Sequence, residues 1–371
     1  MKSKPAPDTE IKHVSAVEPA APSPAFDGEP IHIPQTYWSI VGRQFQKNKL
    51  AVSALALVST LLVMAFTADF LANDKPLLMK FQGQTYLPIV KDYAVRLGIS
   101  QWQHEFQNVS YKEFAKANFK EGDWAWFPPI RYSPTDIDLK AAIQRPSSRH
   151  FLGTDEIGRD VASRMIHGAR VSLSVGFVAV GIYVFIGVLV GALAGYYGGV
   201  ADIVASRLIE VMITIPTFFL IITVVAFLPQ SVFNIMVVIG ITGWPTIARL
   251  ARGEFLRTKS LDYVLAARAL GATDVRTIFR HVLPNTLAPI SVAATFGIAS
   301  AILIESTLSF LGFGVPPSAA SWGSILASAR ELLPSGWWLA AFPGLAIFLT
   351  VTSYNLVGEG LRDVADPRLK R

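Results

Sequence analysis

Long apolar runs dominate the pattern of this chain. A bilayer span needs roughly 20 predominantly apolar residues at about 1.5 Å rise each, and six stretches qualify: 50–71, 171–196, 203–227, 232–248, 288–310 and 338–357. Pro216 is expected to kink the third, because proline removes a backbone donor and clashes with the preceding turn. Gly187, Gly191 and Gly195 fall at four-residue spacing on one face of the second, where two backbones can approach closely. Outside the runs, residues 1–36 are rich in Pro, Ala, Ser, Asp and Glu and cannot bury enough surface to offset the entropy of ordering. A disordered tail is expected there. It lacks the h-region and cleavage pattern of a signal peptide, so the first run is expected to stay as a membrane anchor.

The connection between the first two runs is too long for a simple loop and predicts a small folded insert. Residues 79–86 read as a hairpin around Gly83, and 110–120 as a helix. From Thr154, read as an N-cap followed by Asp155 and Glu156, the pattern to Arg170 suits an amphipathic helix on the membrane surface. The expected fold is thus an all-α polytopic membrane protein of six transmembrane helices. Its expected parts are a cytoplasmic tail (1–36), an N-terminal region with the first span (37–72), a periplasmic insert and surface helix (73–168), a five-helix core (169–361) and a cytoplasmic end (362–371).

Charge then sets the orientation. Arg43, Lys47 and Lys49 precede the first span, and Arg249, Arg252, Arg257, Lys259, Arg268, Arg276 and Arg280 follow the fourth. Arg362, Arg368, Lys370 and Arg371 lie near the end of the chain. The positive-inside rule places these flanks, and both termini, in the cytoplasm and the insert outside. The net charge of +6 reflects these flanks and no basic polar face, so nucleic acid is not the expected partner. Only 16% of residues are charged and 51% are hydrophobic, against about a quarter charged in soluble domains. Cysteine is absent, which excludes disulfides, thiolate nucleophiles and cysteine zinc sites. The six histidines are scattered and no HExxH occurs, so no metal site is expected. An intramembrane hydrolase would need a nucleophile and base at one depth, and the spans hold neither His nor Cys.

The inward segment 249–285 carries the most specific signal. It reads as a helix with small residues at Ala266 and Ala267, a break at Gly271, a second helix capped by Thr273 or Asp274, and a stop at Pro284. A bent, basic helical pair projecting from a bundle suits docking on a cytoplasmic partner. With Leu283 before Pro284, the string resembles the EAA signature of ABC import permeases, except that the usual Glu before the alanine pair is Leu265. Three further segments are similar to the dipeptide and oligopeptide branch: Leu152 to Asp160 with Gly168 to Leu173, Ser309 to Gly314, and Gly360 to Asp363 with Asp366-Pro367. The start of the insert, Ala72 to Leu78, is similar to the branch importing oligopeptides and microcin C-like conjugates.

The resemblance implies a type I importer permease in the bacterial inner membrane, pairing with a second permease, two ABC ATPase subunits and a periplasmic solute-binding protein. It implies ATPase coupling through Leu265, Ala266, Ala267, Arg268, Gly271, Asp274, Arg276, Arg280, His281, Leu283 and Pro284. No GxxxxGK[ST] loop occurs, so this chain is expected to be no enzyme and to hold no cofactor, with ATP on the partner subunits. The expected solute is an oligopeptide or peptide-like molecule, with dipeptides or nickel complexes as alternatives. A channel or secondary transporter without ATP is the rival class.

Two carboxyl groups fall within the spans. Glu210 has Arg207 three residues before it, the spacing of a boundary ion pair. Glu305 has no nearby partner in sequence; it is a candidate for lining the pathway or meeting a peptide amine, with a structural hydrogen bond as the equal alternative. Trp337 and Trp338 fit an interfacial belt.

Overall fold

A computed structural model describes residues 37–106, 109–316 and 318–365. The expected tail over 1–36 and the basic end with Arg368, Lys370 and Arg371 lie outside the described residues. The described part of the N-terminal unit, residues 37–40, is helical, and the second unit begins at Val41. Helix α1 (Tyr37–Lys47) meets α2 (Lys49–Phe66) at Asn48, whose side chain accepts from the Ala51 N–H at 3.1 Å and caps α2. The short α3 (Ala68–Leu71) leads into the insert.

The insert contains β1 (Leu78–Phe81), β2 (Gln84–Tyr86), α4 (Pro88–Arg96), α5 (Tyr111–Asn118) and β3 (Trp124–Trp126). Gln82 and Gly83 take φ of 51° and 80°, the pair of left-handed residues that a tight two-residue hairpin requires. β3 adds to the other edge of β1, giving the antiparallel order β2-β1-β3 with Met79 opposite both Tyr86 and Ala125. Phe81, Phe106 and Tyr111 are buried with Met79 against Phe114, and the Phe81 and Phe114 rings meet edge to face at 5.1 Å. The insert therefore has its own aromatic core.

The expected surface helix from Thr154 is not formed. The Asp155 carboxylate accepts from the Ile157 and Arg159 N–H groups and folds 154–160 into a turn. The helix starts where Asp160 caps the Ser163 N–H at 2.8 Å, and α6 then runs unbroken from Val161–Tyr197. Its first turns are buried at Val161, Ser163 and Arg164, which no interface-lying helix allows. With 37 residues it is about 55 Å long at 1.5 Å per residue, against about 30 Å of hydrocarbon. It is therefore longer than a bilayer's hydrocarbon core.

Pro216 breaks the third run outright: α7 (Gly199–Thr214) and α8 (Thr217–Ala226) meet there at 79°. α9 (Val232–Lys259) extends well past the expected span end and carries Arg249 to Lys259 on helix. Next come α10 (Asp262–Ala269), α11 (Asp274–Arg276), a π-helical turn over Thr277–Val282, α12 (Leu283–Phe310), α13 (Trp322–Ser328) and α14 (Trp338–Ala365). Among the described residues, five helical spans are long and apolar enough to cross a membrane, or six if the bent pair counts as one.

α6 and α9 form the axis of the bundle. A Cβ on Gly187, Gly191 or Gly195 would sit 2.7, 2.5 and 2.7 Å from Ile247 Cβ, the Ala248 carbonyl and the Arg252 carbonyl of α9. The small-residue face therefore exists to let these two backbones touch, a contact held by dispersion because lipid is as apolar as the side chains. Ile302 and Leu308 of α12 complete the core with Val175, Ala179 and Ile239.

Candidate functional site

The two ends of the bundle differ in chemistry. At one end, Val161, Ile325, Trp338 and Leu339 bury together, and Asp69 of α3 joins the bundle to the insert by pairing with Arg170 at 2.8 Å and accepting from the Tyr93 hydroxyl of α4. At the other end, Tyr196, Phe255, Val264 and Val282 form a second cluster, and the basic end of α9 leads into α10.

That second end presents the segment singled out by sequence. Val264 is fully buried and pins α10 to the bundle. Tyr196 donates its hydroxyl to Asp274 at 2.7 Å, and Lys259 donates to the Tyr196 carbonyl at 2.9 Å, fixing the bend from both sides. α10 closes on Gly271, which takes φ of +85° while its N–H donates to the Arg268 carbonyl at 2.9 Å and the Ala272 N–H to that of Ala267 at 3.0 Å. Thr273, whose side chain accepts from the Arg276 N–H at 3.4 Å, caps α11. Pro284 does not stop the helix as expected. It comes just after the π-helical turn over Thr277–Val282, whose widened hydrogen-bond ladder accommodates the missing N–H, and the chain stays helical from Asp274 to Phe310.

Of the sequence-derived residues, Leu265, Ala266, Arg268, Gly271, Asp274, Arg276, Arg280 and Pro284 are exposed, and Ala267, His281 and Leu283 are half-buried. The sequence reading missed Leu270, Val275 and Phe279, which are 89%, 65% and 65% exposed on the same segment. Their signal was available. Apolar residues occupy both faces of a short amphipathic element, and one face is already filled by Val264, Thr277 and Val282. Leu265, where the signature usually has Glu, joins this apolar set. The surface is greasy, rimmed by Arg268, Arg276 and Arg280, and rigidly backed.

Glu305 lies elsewhere, buried with 0% exposure in the seam of α12 with α6 and α13. Ser309 donates to it at 2.7 Å, Ser172 at 3.4 Å and Ser306 at 3.5 Å, and the Ser172 hydroxyl also accepts from the Trp322 N–H at 3.2 Å. Of the two roles expected for Glu305, the geometry matches the structural hydrogen bond: hydroxyls from α6 and α12 meet the needs of the buried carboxyl. Glu210 pairs with Arg207 at 2.5 Å on an exposed surface, as its spacing indicates.

At the insert end, Asp155 is fully buried and binds two arginines: Arg159 at 2.7 Å and Arg164, which pairs with the same carboxylate oxygen. Trp338 is also fully buried, donating its indole N–H to the Thr154 carbonyl at 3.0 Å, so it belongs to the core and not to an interfacial belt. Trp337 remains exposed.

Residues 187–371 match the family described as binding-protein-dependent transport system inner membrane component, and 36–88 match the N-terminal TM domain of oligopeptide transport permease C. The chain is 40% identical over 248 residues to the dipeptide transport system permease protein DppC of Alkalihalophilus pseudofirmus, covering 66% of this chain and 82% of that one. The chain belongs to the binding-protein-dependent transport permeases. The permease is also 42% identical over 237 residues to the probable D,D-dipeptide transport system permease protein DdpC of Escherichia coli (64% and 80% covered). Against the glutathione transport system permease protein GsiD of Pectobacterium atrosepticum it is 38% identical over 288 residues (76% and 96% covered). It is thus a multi-pass membrane subunit of a bacterial ABC importer, and a channel or secondary transporter working without ATP is not favoured. The segment 262–284 and Glu305 fall inside the first matched region. Residues 89–186, most of the insert and the first part of α6, fall in neither.

Proposed function

We propose that the permease forms, with a second permease, the pathway for peptide-like solutes, and that its segment 262–284 docks on separate ATPase subunits that bind and hydrolyse ATP. The observation that carries this is the exposed Leu265, Leu270, Val275 and Phe279 on an element anchored from behind by Val264 and Val282. An apolar face held rigid loses little freedom on docking, and the arginine rim adds orientation. ATP binding then acts through differential contacts with this element, shifting the bundle between two arrangements. In this orientation α10 and both termini are cytoplasmic and the insert is periplasmic, where a solute-binding protein delivers the solute. The peptide assignment rests on relatives named for dipeptides, D,D-dipeptides and glutathione. Glu305 acts as a latch between α6, α12 and α13.

Cross-linking tests the docking. The chain has no cysteine, so Leu270→Cys creates a single reactive site. It should cross-link to an ATPase subunit in membranes, whereas Phe185→Cys, on an exposed face of α6, should not. Equal cross-linking from both positions would contradict the assignment.

A further inference from the structure

Where the insert meets the bundle, a basic cavity opens into an apolar crevice. The cavity, of 470 Å³, is walled by Lys112, Lys116, Arg131 and Arg149 with Tyr132 and Phe151 among its lining residues. Its carboxylate, Asp160, is already engaged by the Ser163 N–H and by His150, whose Nδ1 lies 2.9 Å away. The cations are held by weak contacts. The Lys112 ammonium sits 3.9 Å over the Tyr132 ring, Arg149 donates to the Tyr132 hydroxyl at 3.2 Å, and Arg131 lies over Phe127. Among the described residues, no salt bridge ties Lys112, Lys116 or Arg131, and Arg149 reaches Asp138 only at 3.7 Å. Asp136 and Asp74 act on Lys112 through space without pairing.

Ile130 and Phe151 are shared with a second cavity of 280 Å³, which shares Leu61, Leu152, Met165 and Ala346 with a third of 200 Å³. Every lining residue of the second and third is apolar. They descend from Met64 to Leu57 on α2 and from Phe342 to Leu349 on α14, about 10 Å along the axis at 1.5 Å per residue. That compares with about 15 Å for one leaflet's hydrocarbon. A cationic mouth above a greasy slot of this depth is complementary to an amphiphile with an anionic head. A soluble anion or an acidic protein face would use the mouth and leave the slot without purpose.

We propose that the permease binds an anionic phospholipid here, its phosphate among Lys112, Arg131 and Arg149 and an acyl chain between α2, α6 and α14. The assignment to the periplasmic leaflet rests on the orientation proposed above, but the binding does not. An occupant at this seam would brace the insert against α2 and α14.

The test uses the intact importer complex, delipidated in mild detergent and titrated with fluorescent phosphatidylglycerol or phosphatidylcholine of identical chains. Wild type should prefer phosphatidylglycerol by about tenfold or more. The triple variant Lys112→Gln, Arg131→Gln, Arg149→Gln should lose that preference while co-purifying with its partners as before. Ala346→Trp should weaken both lipids, and Leu57→Trp, lower in the slot, does so if the first variant fails to fold. Equal affinity for the two lipids in wild type overturns the proposal, as does unchanged preference in the triple variant. Glycerol 3-phosphate that binds as tightly as phosphatidylglycerol overturns it in favour of a soluble anion, because the acyl chain would then contribute nothing. Loss of binding-protein stimulation with lipid preference intact overturns it in favour of an acidic protein surface.

Discussion

Gly271 offers a test in which backbone conformation can be separated from packing. Its φ of +85° lies in the left-handed region, and a Cβ built on it meets nothing within 4 Å. A substitution there changes conformational preference without creating a clash. Alanine costs about 1–2 kcal/mol in this region, and asparagine less because its short side chain tolerates it. Proline cannot reach a positive φ at all, and it removes the N–H that donates to Arg268 at 2.9 Å. Since about 1.4 kcal/mol is a factor of ten, Gly271→Ala should lower the equilibrium constant for the docking-competent conformation about tenfold. Gly271→Asn should stay close to wild type, and Gly271→Pro should abolish coupling. The assay is binding-protein-stimulated ATPase in proteoliposomes, with the amount of inserted permease measured in parallel. Insertion should be equal in all three, because Gly271 lies outside the spans. Wild-type stimulation in the proline variant, or asparagine as damaging as proline, would refute the reasoning.

Three other changes read different parts of the molecule. Gly191→Val should lower the thermal stability of the purified complex by the equivalent of about 1–3 kcal/mol through overpacking against Ala248 and Ala251; an unchanged melting temperature would mean that α6 and α9 are not in this contact. Asp155→Asn leaves Arg159 and the buried Arg164 without their shared carboxylate and should cost about 3–5 kcal/mol. Protease protection of the insert junction reads that loss. Glu305→Leu should impair both stability and transport, because it leaves buried serine hydroxyls without their acceptor at about 1–3 kcal/mol each. Glu210→Leu removes only an exposed pair worth about 0–1 kcal/mol, and matching effects of the two on transport would contradict the latch.

The spans were legible because hydrophobicity at bilayer length is a strong and local signal, and the bent, exposed helical pair over 262–284 because small residues, a glycine and a cap recur in one order. Less was legible where long-range partners decide the local structure. The end of the insert reads as a helix from Thr154 by local propensity, but Asp155 is drawn into a turn by Arg159 and by Arg164 nine residues on. Trp338 looks interfacial beside Trp337, and long-range partners make it a core residue: Val161 and Ile325 pack on it and the Thr154 carbonyl accepts its indole N–H. β3 is three residues long and gains its identity from pairing with β1. Glu305 lacks a charged neighbour in sequence, but Ser309, four residues on and on the same helix face, was a legible donor, whereas Ser172 comes from another helix. Pro284 misled for a different reason: a proline is read as a stop, yet behind a π-helical turn the helix passes through it.

The most direct test of the account is uptake of labelled peptides into proteoliposomes holding this permease with its partner permease, with and without the ATPase subunits, with loaded binding protein presented on the periplasmic side. The account predicts uptake that requires ATP hydrolysis and disappears both without the ATPase subunits and in Gly271→Pro. Peptide uptake that persists without those subunits would contradict it.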